Sequence, residues 1–107
     1  MNEILWQPDA ARAAATQIMA LARRRGHDGP DAVARLWADT VADPARFWSE
    51  MWQLGEVIGE RGSVVLEAPE AMPGARWFPE ARLSFAENLL RWDGDAPAIL
   101  FRGEDLS

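Results

Sequence analysis

Apolar residues recur at helical spacing through the first quarter of the chain and predict one long helix there. The segment is rich in alanine, and Ala14, Ile18 and Leu21 fall three or four residues apart, as they would on one face of a helix. Gly26 ends the pattern, because glycine readily takes the left-handed conformation that closes many helices. We therefore predict a helix over 10–25, with a thin apolar face because alanine buries little surface.

A second, shorter helical pattern follows a break at 26–30. Asp31 belongs to the residue types that cap helix N-termini through their side chains, and it predicts a helix that runs to about residue 39. Four residues fall together on one side of this helix: Val33, Leu36, Trp37 and Thr40.

The clearest helix start in the chain is Asp43 followed by Pro44. A capping residue precedes a proline at the first helical position, where the missing N–H costs nothing. We predict a third helix to residue 54, ended by Gly55. Its apolar residues form two neighbouring stripes and must be covered on two sides; they are Phe47, Met51 and Leu54 in one stripe and Trp48 and Trp52 in the other.

The second half of the chain predicts short β segments and one more helix. The apolar run 63–66 contains β-branched residues and predicts a strand or an extended segment, followed by a proline-punctuated loop over 68–79. Ser84 and Glu87 have the spacing of a capping box, which predicts a helix over 85–91.

The last residues predict a turn and a strand. Asp93-Gly94-Asp95 is a turn sequence, and the apolar run that follows predicts a strand over 98–102. This strand has no later strand in the chain to pair with, so we expect an interrupted hairpin at this edge.

Composition points to one small folded unit and restricts its partners. The chain has 107 residues, of which 49% are hydrophobic and 26% charged, as in ordinary folded domains. Its net charge of −6 disfavours nucleic acid as a partner. The three arginines 23–25 fit the negative end of a helix dipole. No membrane span or leader is visible and cysteine is absent, so we expect a cytoplasmic protein.

Six tryptophans have the largest apolar side chains of this protein. Each can bury about 150 to 250 Å², so we expect them to pack in the core or against another domain; they are Trp6, Trp37, Trp48, Trp52, Trp77 and Trp92. A base-stacking platform is the other use of such residues, and the acidic charge balance argues against it.

No catalytic, cofactor-binding or metal-binding residue emerges from the sequence. The single histidine, His27, is interpreted as a solvated turn residue, and the chain contains no lysine. The glycines at 55, 59 and 62 do not have the spacing of a nucleotide-binding loop. Five glutamates are interpreted as parts of a solvated surface: Glu56, Glu60, Glu67, Glu70 and Glu80.

Four collinear segments nevertheless resemble one family. They are LWQP at 5–8, VADPARFW at 41–48, MPGARWFPEARLSFAENLL at 72–90 and APAILFRGED at 96–105. Together they resemble the N-terminal region of the acetoacetyl-CoA synthetase family, within the adenylate-forming acyl-CoA synthetase superfamily. The run at 86–90 favours the acetoacetyl branch. The family more often has Asn-Tyr at 84–85 and Trp-Ser at 39–40, where this chain has Ser84-Phe85 and Asp39-Thr40.

The resemblance implies the fold, the domains and the chemistry of a larger enzyme. The implied fold is mainly α with short β segments, a helical cap over 1–95 followed at 96–107 by the first strand of an α/β adenylation domain. The family's catalytic and nucleotide-binding motifs lie beyond residue 107. ATP, Mg²⁺ and CoA are therefore implied for the full-length enzyme and no cofactor for this chain. The expected partner is the adenylation domain, with neither nucleic acid nor membrane involved.

The sequence is compatible with two functional hypotheses. The first is an N-terminal piece of an acetoacetate–CoA ligase that is by itself a non-catalytic cap. The alternative is a stand-alone helical interaction module that binds a partner through a tryptophan-rich face.

Overall fold

Helices dominate the computed structural model, which describes residues 3–104. Within that range five helices and one two-stranded antiparallel sheet follow one another along the chain. The predicted class, mainly α with short β segments, is confirmed. In chain order the elements are α1 (Ala10–Ala14), α2 (Gln17–Arg24), α3 (Ala32–Ala42), α4 (Pro44–Leu54), β1 (Leu66–Glu67), β2 (Arg76–Trp77) and α5 (Phe85–Leu89).

The long helix predicted over 10–25 is wrong, because the chain breaks into α1 and α2 at Thr16. The Thr16 hydroxyl donates to the Ala13 carbonyl at 2.9 Å and accepts from the Met19 N–H at 3.4 Å. A threonine side chain can thus end one helix and cap the next by competing for backbone groups. Alanine-rich periodicity does not reveal that competition.

The two central helices differ in how they start. Asp31 occupies the position before α3 but its side chain makes no capping bond, so that part of the prediction is wrong. Asp43 caps α4 as predicted, accepting from the Arg46 N–H at 3.0 Å. α3 also extends to Ala42, three residues beyond its predicted end, so that α4 begins almost immediately after it.

The first strand is shorter than the apolar run 63–66 predicted, and the second strand lies inside the loop predicted over 68–79. Leu66 pairs with Trp77 and Glu67 with Arg76. An isolated antiparallel bridge joins Glu60 and Arg82, with N···O distances of 2.8 Å in both directions. Cross-strand pairing thus folds 60–67 against 76–82, an arrangement that composition alone did not indicate.

The C-terminal part of the described chain departs furthest from prediction. α5 begins at Phe85 as predicted but ends at Leu89, two residues early. Residues 98–102 do not form the predicted strand, because in the described residues 3–104 no strand lies alongside to accept and donate its hydrogen bonds. The apolar residues 99–101 are left exposed.

The buried core lies between α2 and α3 and is small. Only Ala22, Ala32 and Leu36 are buried within the described range, with Met19 and Leu21 packed against them. The accessible surface is 9406 Å², whereas a compact monomer of this mass exposes about 5,900 Å². The radius of gyration is 19.2 Å, against about 13 Å for a compact domain of this length. The chain is therefore open and covers little of its own apolar surface.

The prediction that the tryptophans pack in the core of this chain is wrong for most of them. Trp52 is half-buried, whereas the other five are exposed. Trp37 is 68% exposed, so it does not replace the family's tryptophan at position 39 in packing α3. Packing against another domain, which the prediction also allowed, stays a prediction.

Candidate functional site

One cleft in the surface is walled by three aromatic side chains, Trp48, Trp77 and Phe78. We call it the aromatic cleft; its volume is about 320 Å³. The rings of Trp48 and Trp77 meet edge to face, with centroids 5.8 Å apart and an interplanar angle of 69°. Their side chains remain 45% and 46% exposed. Such edge-to-face pairs are preferred by aromatic quadrupoles, and here they leave an apolar surface open to solvent.

α4 and β2 bring these aromatic residues together. Trp48 and Trp52 lie four residues apart and therefore on the same side of α4. Phe78 follows β2 with a φ of +44°, an unusual value for a bulky residue, and its N–H donates to the Val65 carbonyl at 2.8 Å. Its ring centroid then lies 5.0 Å from that of Trp52, beside the Trp48–Trp77 pair.

The loop that follows α4 is held by the side-chain amide of Asn88 on α5. Asn88 accepts from the Ile58 N–H at 2.8 Å and donates to the Ile58 carbonyl, also at 2.8 Å. A further bond of 2.9 Å goes to the Ser84 carbonyl. One amide thereby satisfies both backbone groups of a loop residue thirty positions away, which fixes α5 against the loop.

Arg91 ties the same region to the end of α4. Its guanidinium donates to the Glu56 carbonyl at 2.5 Å and to the Gly55 carbonyl at 3.0 Å. A cation at these carbonyls also suits the negative end of the α4 dipole. The guanidinium carbon lies 4.7 Å from the Trp92 ring centroid. We refer to Asn88 and Arg91 together as the loop clasp.

Glu80 organises the third part of this region. One of its carboxylate oxygens accepts from the Ser63 N–H at 2.7 Å, the Ser63 hydroxyl at 2.9 Å and the Val64 N–H at 3.2 Å. The Ser63 N–H, followed by the Ser63 hydroxyl and the Val64 N–H, lowers the pKa of Glu80 below its ordinary value. Glu80 is exposed, as the interpretation of a solvated surface implies, but it also orders the loop, which that interpretation leaves out.

The other four glutamates in that prediction take modest roles. Glu67 pairs with Arg76 at 3.0 Å across the two strands, and both side chains are largely exposed. Glu56 and Glu60 act through their backbones, in the loop clasp and in the bridge to residue 82. Glu70 is exposed.

Two polar contacts between side chains tie together the segments around the small core. Arg25 donates from Nε and Nη2 to one oxygen of Glu50 at 2.9 and 2.6 Å, and the Arg25 side chain is only 4% exposed. His27 Nε2 lies 2.6 Å from an oxygen of Asp39 on α3. The hydrogen bond from His27 is the main cause that lowers the pKa of Asp39. The histidine is thus half-buried and paired, so its interpretation as a solvated turn residue is wrong.

The helix-dipole interpretation of arginines 23–25 is incomplete in the same way. Arg23 lies in the last turn of α2, yet it donates to the Ala14 carbonyl at 2.8 Å and to Asp28 at 3.4 Å. Donation by Gly29 N–H is the main cause that lowers the pKa of Asp28, and the nearby Arg23 charge adds to it. Arg23 and Arg25 therefore join parts of the fold.

Across residues 3–104, no group of three or more histidine or carboxylate side chains is arranged so that it could hold a metal ion. Nor does any helix in that stretch combine the length and apolar character that crossing a bilayer requires.

Comparison with known proteins identifies the family. A model of the acetyl-coenzyme A synthetase N-terminus matches residues 33–89, a segment that includes α3 from its second residue, α4, both strands and α5. The chain belongs to this family. The family segment therefore contains the aromatic cleft, the Asn88 half of the loop clasp and the Glu80 loop.

One curated relative of the chain is the acetoacetyl-coenzyme A synthetase of Rhizobium meliloti (strain 1021). The two are 50% identical over 66 residues, which make up 62% of this chain and 10% of the relative. The resemblance to the N-terminal region of acetoacetyl-CoA synthetase is thereby confirmed. The match spans about a tenth of the relative's length. No solved structure matches the chain.

Proposed function

We propose that this chain is the N-terminal part of an acetoacetate–CoA ligase. The observation that carries the proposal is the 50% identity to an acetoacetyl-coenzyme A synthetase. The whole enzyme would join acetoacetate to ATP, with release of pyrophosphate, and then transfer the acyl group to the CoA thiol, with release of AMP. ATP and CoA are its substrates, Mg²⁺ is its cation, and its place is the cytoplasm.

The role proposed for residues 1–95 is that of a non-catalytic cap against the adenylation domain of the same enzyme. The aromatic cleft supports this role, because two tryptophan side chains that are nearly half exposed present apolar surface that a partner can cover. The small core supports it too. An α4 helix with apolar stripes on two sides, packed on so few buried residues, gains stability from a second surface.

The first experiment tests the reaction. The intact enzyme is supplied with ATP, Mg²⁺ and CoA together with acetoacetate, acetate or propionate, and thioester formation is followed by chromatography. We expect acetoacetate to be the preferred acid, by kcat/KM. A preference for acetate or propionate would contradict the acetoacetyl assignment, and thioester formation by the 107-residue chain alone would contradict the non-catalytic role.

A second experiment tests the cap by hydroxyl-radical footprinting of the intact enzyme, with labelling rates read for Trp48 and Trp77. Trp48 and Trp77 are 45% and 46% exposed in this chain alone, which would slow their labelling only about twofold relative to the same enzyme in urea. Coverage by the adenylation domain should slow the labelling of both well beyond twofold. A twofold effect would therefore overturn the cap, while leaving the ligase assignment to the first experiment.

A further inference from the structure

A second cleft, on the opposite side of α4 from its apolar stripes, is lined by arginines. We call it the arginine cleft; its volume is about 360 Å³ and its walls come from the end of α2 and one face of α4. Its lining residues are Arg24, Arg25, Arg46, Ser49, Glu50 and Gln53. Positions 46, 49, 50 and 53 recur at helical spacing and form the polar face of α4.

Some of the arginine N–H groups in the cleft do not bond to any carboxylate of residues 3–104. Arg25 uses Nε and Nη2 for Glu50, which leaves Nη1 as the guanidinium nitrogen that is not bonded to that carboxylate. Arg24 and Arg46 are exposed, and within residues 3–104 neither forms an ion pair. The Glu50 carboxylate holds Arg25 almost fully buried, and this fixes one guanidinium at the cleft wall.

The local charge contrasts with that of the whole chain. Arg24, Arg25 and Arg46 against Glu50 give a formal local charge of +3 − 1 = +2, on a protein whose net charge is −6. A phosphate monoester carries about −1.5 to −2 near neutral pH, which matches this local charge. Guanidinium groups also match phosphate in geometry, since each can donate two parallel hydrogen bonds to it. The acidic remainder of the surface repels long polyanions and selects for a small ligand.

We propose that the arginine cleft binds the phosphate group of a small molecule. Arg24 and Arg46 supply exposed charged donors, Arg25 supplies one that Glu50 holds in place, and Gln53 supplies a side-chain amide. The proposal rests on this juxtaposition and not on the ligase assignment. The interpretation of arginines 23–25 as partners of a helix dipole does not reveal the arginine cleft, because Arg46 and Gln53 lie on another helix, α4.

The test measures binding of inorganic phosphate to the intact protein by calorimetry at low salt. We expect saturable binding that weakens by at least about tenfold in the double variant Arg24→Gln/Arg46→Gln. The matched control is Arg102→Gln, which removes the same kind of charge from an exposed site outside the cleft and should change the affinity by less than about twofold. Thermal melting of each variant verifies that it is folded.

The source of the phosphate is distinguished by further titrations with ATP, CoA and dephospho-CoA as competitors of inorganic phosphate. A competitor that displaces phosphate from the wild type but not from Arg24→Gln/Arg46→Gln is identified as the ligand of the cleft. If none of the three competitors displaces phosphate, the ligand is free phosphate. Absence of saturable phosphate binding would overturn the proposal, as would an equal loss of affinity in Arg102→Gln. Neither result depends on whether the enzyme makes a thioester.

Discussion

The helical half of the molecule, residues 10–54, and the loop-rich half, residues 55–91, are held together in different ways. In the helical half, regular helices meet over three buried residues and are linked by the Arg25–Glu50 ion pair and the His27–Asp39 hydrogen bond. In the loop-rich half the backbone is irregular, and side chains such as Asn88 and Glu80 bond directly to backbone groups. The first half has regular elements with little core, and the second has few regular elements but many specific bonds.

This difference shows where substitutions should matter. An exposed helix surface tolerates change, because its backbone bonds are internal to the helix. A loop whose N–H and C=O groups depend on one distant side chain loses several bonds when that side chain changes. The loop-rich half should therefore be the more sensitive of the two, although it contains less secondary structure.

The largest effect is expected from Gly59→Ala, in the loop-rich half. Gly59 has a φ of +150°, and an added Cβ would lie 2.6 Å from the Leu83 Cβ and 2.8 Å from the Arg82 carbonyl oxygen. We expect a loss of about 3 kcal/mol in the free energy of unfolding, measured by urea denaturation. The control is Gly94→Ala, at a similar φ of +138° but with open space around it; strain alone should cost about 1 kcal/mol there. Equal losses would mean that the close approach is unimportant.

Asn88→Ala should follow, because it removes three hydrogen bonds at once. At roughly 1 kcal/mol for each bond, partly replaced by water, the expected loss is about 2 kcal/mol. Asn88→Asp should cost at least as much, since a carboxylate cannot donate to the Ile58 and Ser84 carbonyls. Gln53→Ala, an exposed amide on α4, is the control and should change stability by less than about 0.5 kcal/mol. A tolerated Asn88→Asp would show that the donor bonds contribute little.

The same contrast explains how much of the fold could be predicted from the sequence. α4 was predicted to the residue, because Asp43-Pro44, two apolar stripes and Gly55 all act locally. The break at Thr16 was missed, since a threonine within an alanine-rich run is compatible with either a continuous or a broken helix. β2 and the Glu80 contacts were missed because they join segments that local patterns treat separately.

The candidate sites were harder to predict than the helices. Trp48 and Trp77 are large enough to predict that each is packed, but the contact between them depends on how β2 folds against α4. Nothing in the sequence links His27 to Asp39, although they lie 2.6 Å apart. Each of these contacts joins residues twelve or more positions apart, and no single-sequence period encodes such a pairing.

In the helical half, the largest loss should come from Arg25→Met, which leaves Glu50 without its partner. Because Arg25 is almost fully buried and Glu50 is 25% exposed, we expect a loss of about 2 kcal/mol, less than for a completely buried pair. The double variant Arg25→Met/Glu50→Leu should recover part of that loss, as a double-mutant cycle would report. Arg76→Met breaks the exposed pair with Glu67 and should cost less than about 1 kcal/mol. Similar losses for the two arginines would contradict the importance of burial.

Glu80 should make the loop-rich half sensitive to acid. Since folding lowers the pKa of Glu80, its contribution to stability is present above its unfolded pKa, about 4.3. That contribution is lost as the pH falls through the lower, folded pKa. The stability difference between the wild type and Glu80→Gln should thus be largest near neutral pH and narrow below about pH 4. The control is Glu70→Gln, at an exposed glutamate. If the stability difference between the wild type and Glu80→Gln did not change with pH, the role of the Glu80 carboxylate would be contradicted.

The smallest predicted effect compares two aspartates at helix starts in the helical half. Asp43 accepts a bond from the Arg46 N–H at 3.0 Å, whereas Asp31 makes no capping bond at the start of α3. Asp43→Ala should therefore cost about 1 kcal/mol, and Asp31→Ala less than about 0.3 kcal/mol. Both substitutions remove one negative charge near a helix N-terminus, so the difference between their urea midpoints isolates the hydrogen bond from the dipole interaction. If the two midpoints shifted equally, the capping bond of Asp43 would add nothing beyond its charge.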